Sequence, residues 1–421
     1  MRASTGPLVA AFVSAAILAG CGGGNTGLSS SPPTSAAPQI GAPLNPLSAG
    51  ITAERTHVRR AYSVLYSFKG GTDGASPAAS LLNVDSTLYG TTYSGGANKC
   101  FKHQGCGTVF AIRTSGETVL DRFKGKSGAE PVAALLEVNG TLYGTTKAGG
   151  AMNLCKSRFA RGCGTVFSIT PSGIETVLHT FGSSGDGAFP SGLIDVNGTL
   201  YGTTSGGGAN GYGTVFAVAS SGTENVLYSF KGGKDGAYPA AGLLDVKGTL
   251  YGTTAYGGAC SALDDCGTVF AVTTSGKERV LHSFSAEGGG PLAGLINVKG
   301  TLYGTTSGGG AYYDGMVFAI TTSGKETVIY SFDEADGSYP EAALLNVKGT
   351  LYGTTSGGGA NGLGTVFAIT RSRAETVLYS FAGQPDGAQP TASVIDLNGA
   401  LYGTTDEGGA NDDGAIFSLS P

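Results

Sequence analysis

Residues 343–381 read ALLNVKGTLYGTTSGGGANGLGTVFAITRSRAETVLYSF, and this stretch decides the fold. It holds four short apolar runs: Ala343–Val347, Thr350–Thr355, Gly364–Thr370 and Glu375–Phe381. Alternation, β-branched residues and flanking glycines mark each run as a strand. We label them A, B, C and D. Lys348-Gly349 joins A to B as a hairpin turn in which glycine supplies positive φ. Arg371–Ala374 joins C to D, where sister copies commonly carry Thr-Ser-Gly-Lys.

The unit recurs along the chain. Tyr-Gly-Thr-Thr begins at Tyr89, Tyr143, Tyr201, Tyr251, Tyr303, Tyr352 and Tyr402. Seven copies of four strands, spaced 49–58 residues apart, are the arithmetic of a β-propeller. The repeats open on a lone D-type strand, Val64–Phe68, and end on a C-type strand, Ile416–Leu419. Pairing these two closes the seventh blade and leaves no unpaired edge. An open β-solenoid would leave the complementary missing strands unexplained. The expectation is therefore an all-β fold, a seven-bladed propeller over residues 61–421. The Tyr and Thr columns read as blade packing, and the glycine of Tyr-Gly-Thr-Thr as the residue that lets neighbouring blades approach.

Composition agrees. The chain has 74 glycines in 421 residues without a three-residue period, and 13% charged residues. Collagen, a charged coiled coil and charge-driven disorder are excluded. A net charge of -5 offers no basic footprint for nucleic acid.

The N-terminus reads as an address. Arg2 is the only charge before Glu54, and Leu8 to Leu18 is an apolar run too short to span a bilayer. It ends in Leu18-Ala19-Gly20-Cys21, which resembles a bacterial lipobox. That resemblance implies a signal peptide over residues 1–20, cleavage before Cys21 and a lipid on its sulfur. Gly22 in place of Asp implies outer-membrane sorting, by resemblance to Gram-negative lipoproteins. Residues 21–60 are rich in Gly, Ser, Pro and Ala and read as a flexible tether.

Tyr-Gly-Thr-Thr, the Gly-Gly after it, Gly-Thr-Val-Phe-Ala-Ile and Val-Leu-Tyr-Ser-Phe together resemble the GloVer tandem repeat of exported bacterial proteins. The resemblance covers roughly residues 61 to 421. It implies a propeller and export, and no activity. A weaker resemblance is to kelch and quinone-type propeller repeats, whose Trp residues this chain lacks.

Strands alternate direction, so D–A and B–C loops share one rim and the short A–B and C–D turns share the other. Sequence variation concentrates in the D–A and B–C loops, which makes their rim the expected binding face. Six cysteines lie there as Cys100/Cys106, Cys155/Cys163 and Cys260/Cys266, each pair within one B–C loop. Three copies have both cysteines and four have neither, which favours local disulfides in an exported setting. Zinc fits the spacings poorly, with only His103 nearby. The B–C loops carry Lys99, Lys102, His103, Lys156, Arg158 and Arg161 in copies one and two, and Asp264, Asp265, Asp314, Asp412 and Asp413 later. Such a polarised rim would orient a partner.

Three candidate sites follow. The D–A loops carry Asp-Gly-x-x-Pro from Asp73, Asp186, Asp235, Asp336 and Asp386, where aspartate suits a turn. Three of these loops place an aromatic before the proline: Phe189, Tyr238 and Tyr339. The loop between those of Tyr238 and Tyr339 is two residues shorter, so a notch flanked by two rings is expected, suited to stacking on a sugar. A strand-A column is polar in every copy: Asn83, Glu137, Asp195, Asp245, Asn297, Asn346 and Asp396. Its acids, Glu137, Asp195, Asp245 and Asp396, form a ring suited to Ca2+, or serve the A–B turns. No His–Ser–Asp or Cys–His arrangement or phosphate loop is present, so no catalytic residue is assigned. The expected function is a monomeric, envelope-anchored propeller, held to the membrane by its lipid, that binds a glycan or envelope protein. A paired-carboxylate polysaccharide hydrolase or lyase, or a structural role in the envelope, are the alternatives.

Overall fold

The computed structural model describes residues 61–421 apart from 97–99, 101–104, 114–115, 152–154, 156–161, 183–184, 261–265 and 286–287. The signal, the tether and Cys21 lie outside the described residues, as do Lys99, Lys102, His103, Lys156, Arg158, Arg161, Asp264 and Asp265.

Seven four-stranded antiparallel sheets form the blades, each in the order A-B-C-D. In the sixth the strands are Leu345–Val347, Thr350–Thr355, Thr365–Ile369 and Glu375–Ser380, close to the runs read from sequence. The ring closes as expected. Tyr62–Ser67 pairs with Ala415–Leu419, from Tyr62 opposite Leu419 to Ser67 opposite Ala415. Strands A of successive blades touch one another, so they line the axis and strands D form the outer edge. Among the described residues no helix is long and apolar enough to cross a membrane.

The glycine of Tyr-Gly-Thr-Thr does something other than expected. It does not let neighbouring blades approach. It makes room for its own blade's strand-C phenylalanine, which lies directly across the sheet: Gly90 opposite Phe110, Gly252 opposite Phe270, Gly353 opposite Phe367. A Cβ on Gly252 would sit 2.5 Å from the tip of the Phe270 ring. The same contact recurs in all seven blades. An aromatic ring thereby covers backbone that glycine would leave bare.

The ring laid over glycine then meets the next seam. Each strand-C phenylalanine packs against the Phe that ends strand D of the preceding blade. The seven centroid distances run from 4.9 to 5.3 Å, in tilted or edge-on geometry. The seven strand-D rings, from Phe68 to Phe381, are buried.

Both threonines hold polar positions in the packing. The Thr91 hydroxyl is buried without a hydrogen-bond partner, whereas in the other six blades the first threonine donates across the seam to a carbonyl of the next blade, as Thr203 to Ala241 and Thr354 to Ala392. The final blade does so across the closure, Thr404 to Ala79 at 3.2 Å. The second bonds within its blade, as Thr355 to Thr365 at 2.8 Å. The threonine columns are thus blade packing, as read from sequence.

Strand D carries a β-bulge at its leucine: Val215 faces Tyr228 and Phe216 faces Val226, which leaves Leu227 unpaired. Its freed carbonyl meets the C–D turn glycine of the next blade, where a Cβ on Gly276 would lie 2.5 Å from the Leu227 oxygen. That glycine also needs its positive φ of 84°.

Gly252→Ala should therefore overpack one seam and lower stability by about 1–3 kcal/mol. Adding Phe270→Leu should recover part of the loss. Urea unfolding of the single and double variants checks this, and full additivity of the two losses would contradict the contact.

Candidate functional site

The D–A and B–C loops build one rim, and a repeated backbone staple fixes it. The residue before the D–A proline adopts a left-handed conformation in six loops: Ser76, Glu130, Phe189, Tyr238, Tyr339 and Gln389, with φ of 54–60°. Its N–H donates to the preceding blade's B–C loop, as Tyr238 to the Tyr212 carbonyl and Tyr339 to the Asp314 carbonyl, both at 2.9 Å. Its carbonyl accepts from the end of the following strand B, as Tyr339 from Ser356. The three aromatics expected at the rim thus sit on backbone locked between two blades.

Their side chains differ. Phe189 is half-buried and packs with the Cys155–Cys163 disulfide. Tyr238 is half-buried between Tyr212 and Tyr256, with ring centroids 5.8 and 5.5 Å away, and burial raises its hydroxyl pKa. Tyr339 is 52% exposed, beside the B–C loop that carries Tyr312 and Tyr313 at 60% and 66%. The sequence reading passed over Tyr312 and Tyr313, although two adjacent tyrosines in a rim loop were its signal. In the shortened loop, Gly288, Gly289 and Gly290 are buried, and Gly289 lies against Gly308.

All three local disulfides are present: Cys100–Cys106, Cys155–Cys163 and Cys260–Cys266. The strand-A column serves the turns. Glu137, Asp245, Asn297, Asn346 and Asp396 each accept the N–H of the following turn glycine. The Asp195 Oδ1 atom is buried without a hydrogen-bond partner.

The D–A aspartates close their loops. Asp73, Asp186, Asp235, Asp336 and Asp386 each accept a backbone N–H from the end of strand D. Four also accept a strand-D tyrosine hydroxyl: Tyr66, Tyr228, Tyr330 and Tyr379. The first residue of strand D in the next blade faces most of these carboxylates. It is Glu175, Glu224, Glu278, Glu326 or Glu375, with Glu117 second in its strand after Gly116, and Tyr62 at the closure. Each of the six glutamates buries an Oε1 atom that has no hydrogen-bond partner. Burial, then the charge of the facing aspartate, raises Glu117, Glu175, Glu224, Glu278 and Glu375 to about 7. Sequence reading missed this column, although a glutamate after six C–D turns signals it.

A departure from the repeat follows strand B of the seventh blade. Asp406 follows Tyr-Gly-Thr-Thr, where sister copies carry Tyr93, Lys147, Ser205, Ala255, Ser307 and Ser356. Burial first, then Glu407, raises its pKa to about 6. Glu341, just after a D–A proline, is raised by burial and by the charge of Asp406. The Asp406 charge therefore reaches Glu341, while the shift of Asp406 itself comes from burial and Glu407.

The Gloeobacter/Verrucomicrobia repeat model matches residues 48–190, 152–348 and 261–421. The chain belongs to this repeat family. No curated protein matches it. Among solved structures it is similar to a gluconolactonase of Xanthomonas campestris, 13% identical, over 66% of this chain and 81% of that one, with a TM-score of 0.40. A candidate 6-phosphogluconolactonase of Bacteroides uniformis is 14% identical over 77% of this chain and 88% of that one, with a TM-score of 0.47. A puromycin-hydrolyzing peptidase of Mycobacterium tuberculosis is 9% identical at a TM-score of 0.46; the match covers 82% of this chain and 52% of that one. Likenesses this weak carry no argument about activity.

The opposite rim holds a cavity of 610 Å³ between blades five and six, lined by Lys299, Lys348, Arg371 and Arg373 among others. Arg371 and Arg373 are tied to the Lys348 and Val328 carbonyls. Arg373 stands where a sister copy has the turn glycine Gly324, and it keeps a φ of 64°.

The glutamate column sets the pH dependence. These carboxyl groups hold protons more tightly folded, near 7, than at their ordinary 4.5. Their contribution is fully present below about pH 4.5 and is lost as pH rises through about 7. Asp186, lowered by hydrogen bonds and His179, and His282, lowered by burial, act in the opposite sense. The melting temperature should therefore fall between pH 5 and pH 8, and Glu278→Gln should flatten that fall. Calorimetry across this range checks it, and a rising profile would contradict the assignment.

Proposed function

We propose that this chain is an exported, lipid-anchored propeller that binds an extracellular glycan on its D–A and B–C rim. The carrying observation is the group of three exposed tyrosines, Tyr312, Tyr313 and Tyr339, at one seam of a rigid scaffold. A tyrosine ring presents an apolar face to a sugar and a hydroxyl to its edge. Its two side-chain torsions keep the entropy lost on binding small. The Tyr212, Tyr238 and Tyr256 cluster flanks the shortened loop on its other side and extends the surface. Disulfides in three B–C loops of the same rim fit an exported setting.

A second reading, a hydrolase or lyase acting on polysaccharide, is favoured by Asp406 and Glu341. Glu341 lies in the field of the Asp406 charge, and two carboxyl groups on one rim are the residue types that such chemistry uses.

On a glycan array, Tyr312→Ala/Tyr313→Ala/Tyr339→Ala should abolish binding with little change in melting temperature. Tyr238→Ala should lower both, because its ring is packed. The bound glycans should stay intact; their cleavage, lost in Asp406→Asn, would select the second reading. Undiminished binding by the triple variant would remove the rim tyrosines from the function.

The anchor is tested separately. Cys21→Ser should release the chain from the membrane fraction or leave its signal uncleaved. Normal maturation with full membrane retention would refute the lipid.

A further inference from the structure

The second seam differs from its siblings. At three seams a tyrosine, an aspartate and a glutamate meet: Tyr66, Asp73 and Glu117; Tyr228, Asp235 and Glu278; Tyr330, Asp336 and Glu375. Between blades two and three the tyrosine is replaced by His179, which joins Asp186 and Glu224. A phenol that donates to the aspartate has become an imidazole, whose Nε2 now bonds Asp186 and offers a lone pair to a metal once its proton is lost.

We propose that His179, Asp186 and Glu224 bind a divalent transition metal, zinc foremost. One atom from each of the three lies within 4.8 Å of the other two, and no other such group of His, Cys, Asp or Glu occurs among the described residues. His179 Nε2 stands 3.3 Å from Asp186 Oδ2. Two ligands bound at about 2.0–2.2 Å in tetrahedral geometry stand roughly 3.3–3.5 Å apart, so this edge is already spaced for zinc. The aspartate side chain is 3% exposed, and the N–H groups of Gly182 and Gly187 hold both its oxygens in place. The glutamate supplies a buried oxygen with no hydrogen-bond partner. One imidazole and two carboxylates are a donor set that zinc accepts, with a position left for water.

The ligands come from two blades: His179 and Asp186 from the outer strand and loop of the second, Glu224 from the outer strand of the third. The ion would clamp the two blades at their outer edge. His282 does not repeat the site, because its shortened D–A loop has no aspartate.

The test uses the full chain freed of metal by chelation, with zinc chloride as the probe. Calorimetric titration should give one ion per chain, and zinc should raise the melting temperature by mass action. His179→Tyr restores the arrangement of the sibling seams. It should therefore keep the metal-free melting temperature and lose both zinc responses. Glu224→Gln keeps the shape of the side chain and should weaken binding by about tenfold or more. Absence of a zinc response in the parent, or parental affinity in both variants, would overturn the proposal.

Discussion

Every seam of this ring turns on one contact between two phenylalanines. The strand-C ring lies over a glycine of its own sheet and presents an edge to the strand-D ring of the preceding blade. Remove the glycine and the first ring must tilt; tilt the ring and the seam loses its fit, because interiors tolerate little volume change. With seven equal seams the contact also fixes the angle between blades, and so the number that closes. The N-terminal strand completes the circle with the same pair, Phe381 on Phe417 and Phe68 on Phe110.

Around this apolar contact, backbone groups are satisfied locally. The bulge at each strand-D leucine spends one ladder bond and sends a carbonyl to the next blade's turn, where only a glycine fits at four seams. The D–A residue before proline spends a left-handed backbone and gains two interblade hydrogen bonds. A rim built this way holds its side chains in place independently of their identity. Ser76, Glu130, Phe189, Tyr238, Tyr339 and Gln389 can therefore vary on one geometry.

The period, the strand order and the closure were legible because a four-stranded blade leaves a sharp signature: two-residue turns, alternating apolar positions and a fixed glycine column. The local disulfides were legible from their all-or-none pairing. The partner of the Tyr-Gly-Thr-Thr glycine was not, because sequence shows that something approaches closely but not from which side. Gly252 meets Phe270 across its own sheet, a register fact that appears only once strands pair. The glutamate column stayed hidden for a related reason. Glu278 reads as the solvated start of a strand, and only the twist of the blades carries it over Asp235 of the preceding one.

Because seven seams repeat, each serves as a control for the others. A residue common to all of them is explained by the ring itself, and a residue found at one seam needs a separate cause. Tyr62 in place of the glutamate is one such departure, and its ring stacks on Tyr379 at 3.9 Å where the closure brings in a strand from the other end of the repeat. Asp121 and Ser127 are another. At that seam the strand carries the acid and the loop the hydroxyl, so the usual pair is exchanged and the glutamate beside it, Glu175, still faces one carboxylate. Both departures belong to seam packing, although Tyr62 Oη, Asp121 Oδ2 and Ser127 Oγ are buried without a hydrogen-bond partner. His179 still bonds the loop aspartate as its sibling tyrosines do but brings a nitrogen that can bind metal, and Asp406 and the exposed Tyr312–Tyr313 pair have no counterpart at the other seams. These are the positions where selection for something other than the ring has the most room to act.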